Sequence, residues 1–334
     1  MSKEESTILK GVAILMMLFL HLFCKENADI CHSLLYIGDT PLVNILSRAA
    51  NPVALFIILS GYGLSVVYAR GGLSLRSQGK RLLKLYIYYW LILLIFVTLG
   101  HFIRPERYPG DLCNVILNII TWKNSYNYEH WFLFPYALIS LSAYPLFRVI
   151  DKLGNKWGLL LFFCLSFLSN YVTSRYIAVY KLYDSVLSHF LTYVGFFFCF
   201  ALGAVLHRLN NCGKLRIPVL ERHPYIAVLL LVVIIFIRCL FTTSAFHSIY
   251  ILFFIILFLH IRLCNTTRRF LIEMGKRSMV IWLTHSFFCY YLFHDFIYGF
   301  RYPVVIFCVL LAVSYACSVP IMIFGKMIIK WLKI

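Results

Sequence analysis

Two ionisable residues on one apolar run open the chemistry of this chain. Lys10-Gly11-Val12-Ala13-Ile14-Leu15-Met16-Met17-Leu18-Phe19-Leu20-His21 has a base at its entrance and an imidazole deep inside. Eleven residues is close to three helical turns, so Lys10 and His21 share one face, about 16 Å apart along the axis. This spacing predicts a cation at the membrane surface and an acid/base group near mid-depth. Ionisable groups are costly in hydrocarbon, so such a histidine is either a functional group or one satisfied by neighbouring helices. An imidazole with an ordinary pKa of about 6.5 takes a proton near neutral pH, and it also serves as a nucleophile. Lys10 read alone is equally a topology anchor.

Other polar residues suit the same chemistry. His285, about eight residues into a later apolar run, is expected at a depth like that of His21. Ser60 and Gly61 fall halfway along the second run, where glycine admits either a close neighbouring helix or a ligand passing near the backbone. Arg76, Lys80, Arg81 and Lys84 cluster before the third run. Spacings of three and four place charges on one helix face, suited to phosphates, and loop charge placement explains them equally well. Glu129-His130-Trp131 opens the fourth run as a candidate binding group for a polar acceptor, although an interfacial aromatic belt accounts for Trp131. His189 and Arg238 read as packing or cavity-lining groups.

The elements that position these residues follow from composition. Of 334 residues, 62% are hydrophobic and 13% charged, and mean hydropathy is +0.83. Such a chain is an all-α, polytopic membrane protein rather than a soluble one. Ten apolar segments of near-spanning length fall at about 8–24, 43–69, 83–100, 132–148, 157–173, 185–206, 225–242, 244–261, 277–293 and 303–325. Asn51-Pro52 is expected to kink the second helix or mark its start. The seventh and eighth segments form a tight helical hairpin.

With the amino terminus cytoplasmic, 22 of the 31 lysines and arginines fall on the inner side and nine outside, which places both termini in the cytoplasm. The same rule accounts for the net charge of +18 without a nucleic-acid partner. The longest connection, 101–131, lies outside, with an interfacial patch at 115–122 anchored by Trp122. Most of the eleven cysteines sit in apolar runs as small hydrophobes and no CxxC pair occurs, so no metal is expected. Cys31 and Cys113, both in outer loops, are a possible pair. No small-residue cleavage site follows Phe23, so the first run reads as a retained helix. One unit, 1–334, is expected, without an appended soluble domain.

Five ordered motifs resemble the membrane-bound acyltransferase family 3, which includes many bacterial polysaccharide O-acetyltransferases. They are Lys10…His21, Phe56-Ile57-Ile58-Leu59-Ser60-Gly61-Tyr62, Arg81-Leu82-Leu83-Lys84, Trp131-Phe132-Leu133, and Gly275-Lys276-Arg277-Ser278…Trp282-Leu283-Thr284-His285. Lysine stands at Lys10 and Lys84 where arginine is common, keeping charge but losing the planar fork. Tyr136 stands where many members carry an acid. The resemblance implies transfer of an acyl group, acetyl or succinyl, from cytoplasmic acyl-CoA to a hydroxyl of a saccharide or lipid-linked saccharide, in the cell membrane. Lys10, Arg81 and Lys84, with Arg76 and Lys80, would hold the donor phosphates, and the pantetheine arm would pass Ser60-Gly61. His21 would act as general base or carry the acyl group, His285 would orient it or polarise the thioester, and Glu129, His130 and Trp131 would meet the acceptor. A transporter of a polysaccharide or its precursor is the rival class, favouring paired halves with broken helices; no such repeat is present.

Overall fold

The computed structural model describes residues 1–25, 31–241, 243 and 246–334. Helix α1 (Lys3–Phe23) begins on a capping box in which Ser2 and Glu5 exchange side-chain and backbone hydrogen bonds. After a two-residue hairpin come α2 (Leu42–Ser47) and α3 (Pro52–Ala69). Asn51 caps α3 and Pro52 opens it, so the second run is two helices and the proline marks a start. Helix α4 (Leu75–Ile103) and the short amphipathic α5 (Leu112–Ile119) follow. A 3₁₀ turn, Tyr128–Phe132, leads into α6 (Leu133–Leu141). Helix α7 (Ala143–Val172) is interrupted at Gly154, whose φ of 76° is open to glycine without strain. The break at Gly154 divides it, so the fourth apolar run ends in its first part and the fifth forms its second.

The chain continues through a π-helical turn (Thr173–Ile177), α8 (Ala178–Tyr180), α9 (Val186–Gly195), α10 (Phe197–Asn211) and α11 (Pro218–Arg222). Helices α12 (Pro224–Leu240) and α13 (His247–Phe258) pack together as the expected hairpin. Residues 242, 244 and 245 at its tip lie outside the described residues. Helix α14 (Asn265–Ser286) runs into a second π turn (Phe287–Tyr291), then α15 (His294–Tyr298) and α16 (Pro303–Trp331).

Among the described residues, six helical stretches are long and apolar enough to cross a membrane: 3–23, 42–69, 75–103, 143–180, 186–211 and 303–331. Helices α12 and α13 are apolar but shorter, and the first half of α14 is charged. The protein is an all-α, multi-pass membrane protein.

Glycine sets two close crossings. A Cβ at Gly11 would stand 2.1 Å from the Leu271 carbonyl oxygen, and one at Gly275 1.9 Å from that of Thr7. Helices α1 and α14 therefore meet backbone to backbone, the small-residue contact that membrane helices favour. A carbonyl oxygen points toward its helix's carboxyl end, so these two contacts describe a parallel pair with Gly11 level with Gly275. Glu4 with Arg268 (2.5 Å) clamps the amino-terminal end of the same pair. Gly61 and Gly203 make the second crossing, between α3 and α10: their Cβ positions fall on the carbonyl oxygens of Phe200 and Ile58.

Candidate active site

The parallel register carries His21 to His285. Ten residues beyond the Gly11–Gly275 level the two imidazoles face each other, ring centroids 5.0 Å apart. Neither lies at mid-helix. His21 is in the last turn of α1, and His285 is the penultimate residue of α14. Helix α14 starts at Asn265 rather than near 277, so His285 lies at its end instead of eight residues in. Its charged first turns stay helical through Arg268–Glu4 and an Arg277–Glu273 pair at 2.7 Å.

The last turn of α1 is held unusually fully. The final carbonyls of a helix lack intrahelical partners. Here Cys24 N–H donates to Leu20, the Tyr290 hydroxyl to His21, the Tyr298 hydroxyl to Leu22 at 3.2 Å, and Asn44 and Ser47 to Phe23 at 2.8 and 3.2 Å. Helix α2, the second π turn and α15 thus jointly fix the backbone beneath the His21 ring. π turns insert an extra residue into a helix and recur at functional sites; this one aims Tyr290 at His21.

Glu129 completes the centre. Its Oε2 lies 3.4 Å from His21 Nε2, with both side chains mostly buried. Glu129 belongs to the 3₁₀ turn outside the long helices, and burial pushes its carboxyl up to about 7, against the opposing charge of Lys25. Asn127 caps that turn. Its Oδ1 accepts from Glu129 N–H at 3.1 Å and from the Ser286 hydroxyl at 2.9 Å. A backbone N–H can only donate, so the amide orientation is fixed and Nδ2 is the free, buried atom. The same reasoning assigns His285. Its Nδ1 donates to the Trp282 carbonyl at 2.7 Å, which leaves Nε2 as an acceptor, buried and without a partner among the described residues.

A cavity of about 530 Å³ extends from Ser6 toward this centre between α1, α3, α4, α6 and α14. Lys10, Arg81 and Lys84 line it, and among the described residues no carboxylate does. Arg81 Nη2 donates to the Tyr136 oxygen at 2.7 Å, and Ser60 Oγ lies 3.4 Å from the same oxygen. Where many members have an acid, a phenol therefore orients the guanidinium without cancelling its charge. The cavity's other end is bounded by Met17, Phe132 and Trp282. Met17 is one turn from His21 and Trp282 one turn from His285. The Phe132 and Trp282 rings meet edge to face at 5.4 Å, so they stand between the cations and the imidazoles.

The predicted site residues divide accordingly. Lys10, Ser60, Arg81 and Lys84 come together on one cavity, and His21, His285 and Glu129 at one centre. Gly61 does not face the cavity, because its α-carbon is the contact with α10; Gly63 lines the wall instead. Arg76 and Lys80 are exposed on the first turns of α4 and do not line the cavity. His130 is turned inward, with Nε2 donating to the Leu283 carbonyl at 2.9 Å and its ring against Tyr89, so it braces the turn that carries Glu129. Trp131 packs on Phe132 and Phe196. Trp122, expected as an interfacial anchor, packs on His189 and Phe134. Cys31 and Cys113 are free thiols.

Asn127, Tyr136, Ser286 and Tyr290 were not among the candidates. Tyr136 had a sequence signal, as the departure at the acid position. The others are ordinary interfacial residues until the fold joins them.

No curated protein and no solved structure matches the chain. A family model described as an acyltransferase domain matches residues 4–323, nearly its whole length. The chain belongs to acyltransferase family 3 and is a membrane acyltransferase.

Proposed function

We propose that the protein moves an acyl group, most simply acetyl, from cytoplasmic acyl-CoA to a hydroxyl of a cell-surface or lipid-linked saccharide. The observation that carries this reading is the cavity lined by three cations and no carboxylate, ending one helical turn from two imidazoles. Lys10, Arg81 and Lys84 would bind the donor phosphates by charge-assisted hydrogen bonds. Arg76 and Lys80, exposed nearby, would raise the local potential for an anion rather than touch it. The pantetheine arm would lie past Ser60 toward Met17 and Trp282, delivering the thioester to the histidines. In this reading the whole chain acts as one unit in the cytoplasmic membrane, crossing ten times with both termini inside, the shorter helices included.

His21 is the proposed general base. The Glu129 carboxylate accepts from Nε2–H, which leaves Nδ1 unprotonated. The Tyr290 oxygen lies 3.5 Å from it but gives its proton to the His21 carbonyl, so the Nδ1 lone pair serves the acceptor hydroxyl, a carboxylate-oriented imidazole. The hydroxyl oxygen bonds to the acyl carbon as its proton passes to His21. The carbon–sulfur bond then breaks, and the proton leaves on the coenzyme A thiol. His285 Nε2, locked as an acceptor, would take a hydrogen bond from a second, neighbouring hydroxyl of the saccharide and so orient it. Lys25, 4.3 Å above the Tyr290 ring, and Glu129 border the approach for a polar acceptor.

The test is to incubate purified protein with labelled acetyl-CoA and candidate glycans, with wild type and Glu129→Gln side by side. Label should enter glycan with wild type and fall sharply with the variant. A wild type that moves glycan across vesicles but never labels it would overturn the reading. Mass spectrometry of surface glycans with and without the protein would identify the acceptor.

A further inference from the structure

Away from this centre, one cavity of about 360 Å³ lies between α12 and α13. Its walls are apolar, formed by Ile234, Ile237, Phe246 and Phe253 among others, apart from Arg238 and Tyr250. Arg238 is only 7% exposed. Its Nη1 donates to the Phe241 carbonyl and its Nη2 to His247 Nε2, contacts that cap the end of α12. Two donors are left over. Arg238 Nε–H and the Tyr250 hydroxyl are both buried, both on the cavity wall, and both without a partner among the described residues. No carboxylate among the described residues pairs with the guanidinium.

A buried cation with no counter-ion is strongly unfavourable, and capping by a carbonyl and a neutral imidazole does not supply the missing charge. Arg238 Nε–H can only donate and the Tyr250 hydroxyl beside it can donate as well, so the pair suits an acceptor, and the cation calls for an anionic one. The apolar walls call for a hydrocarbon tail on the same molecule. Phe241, Phe246 and Phe253 are exposed beside the cavity, as aromatic side chains are at a membrane–water interface. We propose that this cavity binds the phosphate of an anionic lipid headgroup, with Arg238 and Tyr250 donating to its oxygens and one acyl chain lying along Ile234, Ile237 and Phe253. The site is separate from the acyl-transfer centre and does not depend on which acyl group or acceptor is used.

The experiment measures the thermal unfolding midpoint of the full-length protein in detergent with three additives: phosphatidylglycerol, diacylglycerol with the same chains, and inorganic phosphate. A ligand bound only by the folded state raises the midpoint. Phosphatidylglycerol should raise it by several degrees, and neither other additive should. Arg238→Gln should lose most of the shift and Tyr250→Phe about half. An equal shift from diacylglycerol would make the cavity merely apolar, and one from inorganic phosphate a free-anion site; either overturns the proposal. So does an undiminished phosphatidylglycerol shift in both variants. Should Arg238→Gln fail to fold, Tyr250→Phe and native mass spectrometry of the wild type decide. Retention of one phosphatidylglycerol through delipidation, reduced by Tyr250→Phe, supports the site; no retained lipid sinks it.

Discussion

The two ends of the α1–α14 pair solve different problems with different materials. Toward Lys3, the cavity cations sit on long flexible stems, and only Arg81 has a fixed orientation, through Tyr136. Toward Phe23, one bond to backbone fixes each of several groups: His285 to Trp282, His130 to Leu283, Asn127 to Glu129, and Tyr290 to His21. Attraction between a cation and a phosphate falls off slowly with distance and tolerates angle, so lysine can replace arginine there. Proton transfer does not tolerate misplacement, because a reacting pair must meet at hydrogen-bond distance. On the proposed function, binding is thus left to mobile charge and chemistry to fixed geometry.

Substitutions at each end should break this contrast in different parameters. His21→Ala should lower acyl transfer by about 10³-fold in a protein that still inserts and folds. Full activity of that variant in membranes would end the proposed mechanism. Glu129→Gln should cost roughly tenfold to a hundredfold in kcat, with KM for acyl-CoA little changed. With the wild type, activity should rise as pH passes about 7, because the Glu129 carboxyl is pushed up to about 7 and its oxygen holds His21 only when ionised. Removing that carboxylate also removes what favours the imidazolium, so the rising limb should move to lower pH; a pH–rate profile with an unmoved limb would separate Glu129 from His21.

Lys10→Ala should act on the other parameter, raising KM for acyl-CoA about tenfold, which corresponds to about 1.4 kcal/mol. Lys10→Arg should restore it, and the wild-type KM should climb with salt. An unchanged KM would return Lys10 to the role of a topology anchor. The smallest effect is expected from Ser286→Ala. It removes one of the two donors on Asn127 Oδ1 and should reduce kcat a few-fold without touching KM. A KM effect there would mean the two ends are not separable.

What was legible in the sequence was whatever a single helix carries by itself. Lys10 and His21 are related by helical geometry alone, and the charged start of α4 can be read as a face. Helix bounds were less legible: α14 starts at Asn265, well before its apolar run, with Arg268 paired to Glu4 of another helix. Gly61 shows the same limit in miniature. A glycine in an apolar helix signals a close approach, and only the neighbouring helix decides whether backbone or ligand makes it; here Phe200 does. Asn127 and Ser286 are 159 positions apart and look like loop and helix-end residues, so no local pattern could join them. Tyr290 escaped because the π turn that aims it breaks the helical periodicity by which residues are sorted into faces.

The parallel pairing of α1 with α14 has a consequence for biogenesis. Gly11 and Gly275, like His21 and His285, are 264 positions apart, so α1 leaves the ribosome long before the helix it pairs with. At roughly 5–20 residues per second, the wait between them is on the order of 13–50 s. During it, α1 stands in the bilayer with an imidazole whose partner His285 and a glycine whose partner Gly275 have not been synthesised. The His21–His285 centre therefore cannot form until α14 has been made, and the exposed face of α1 is unpartnered in that interval.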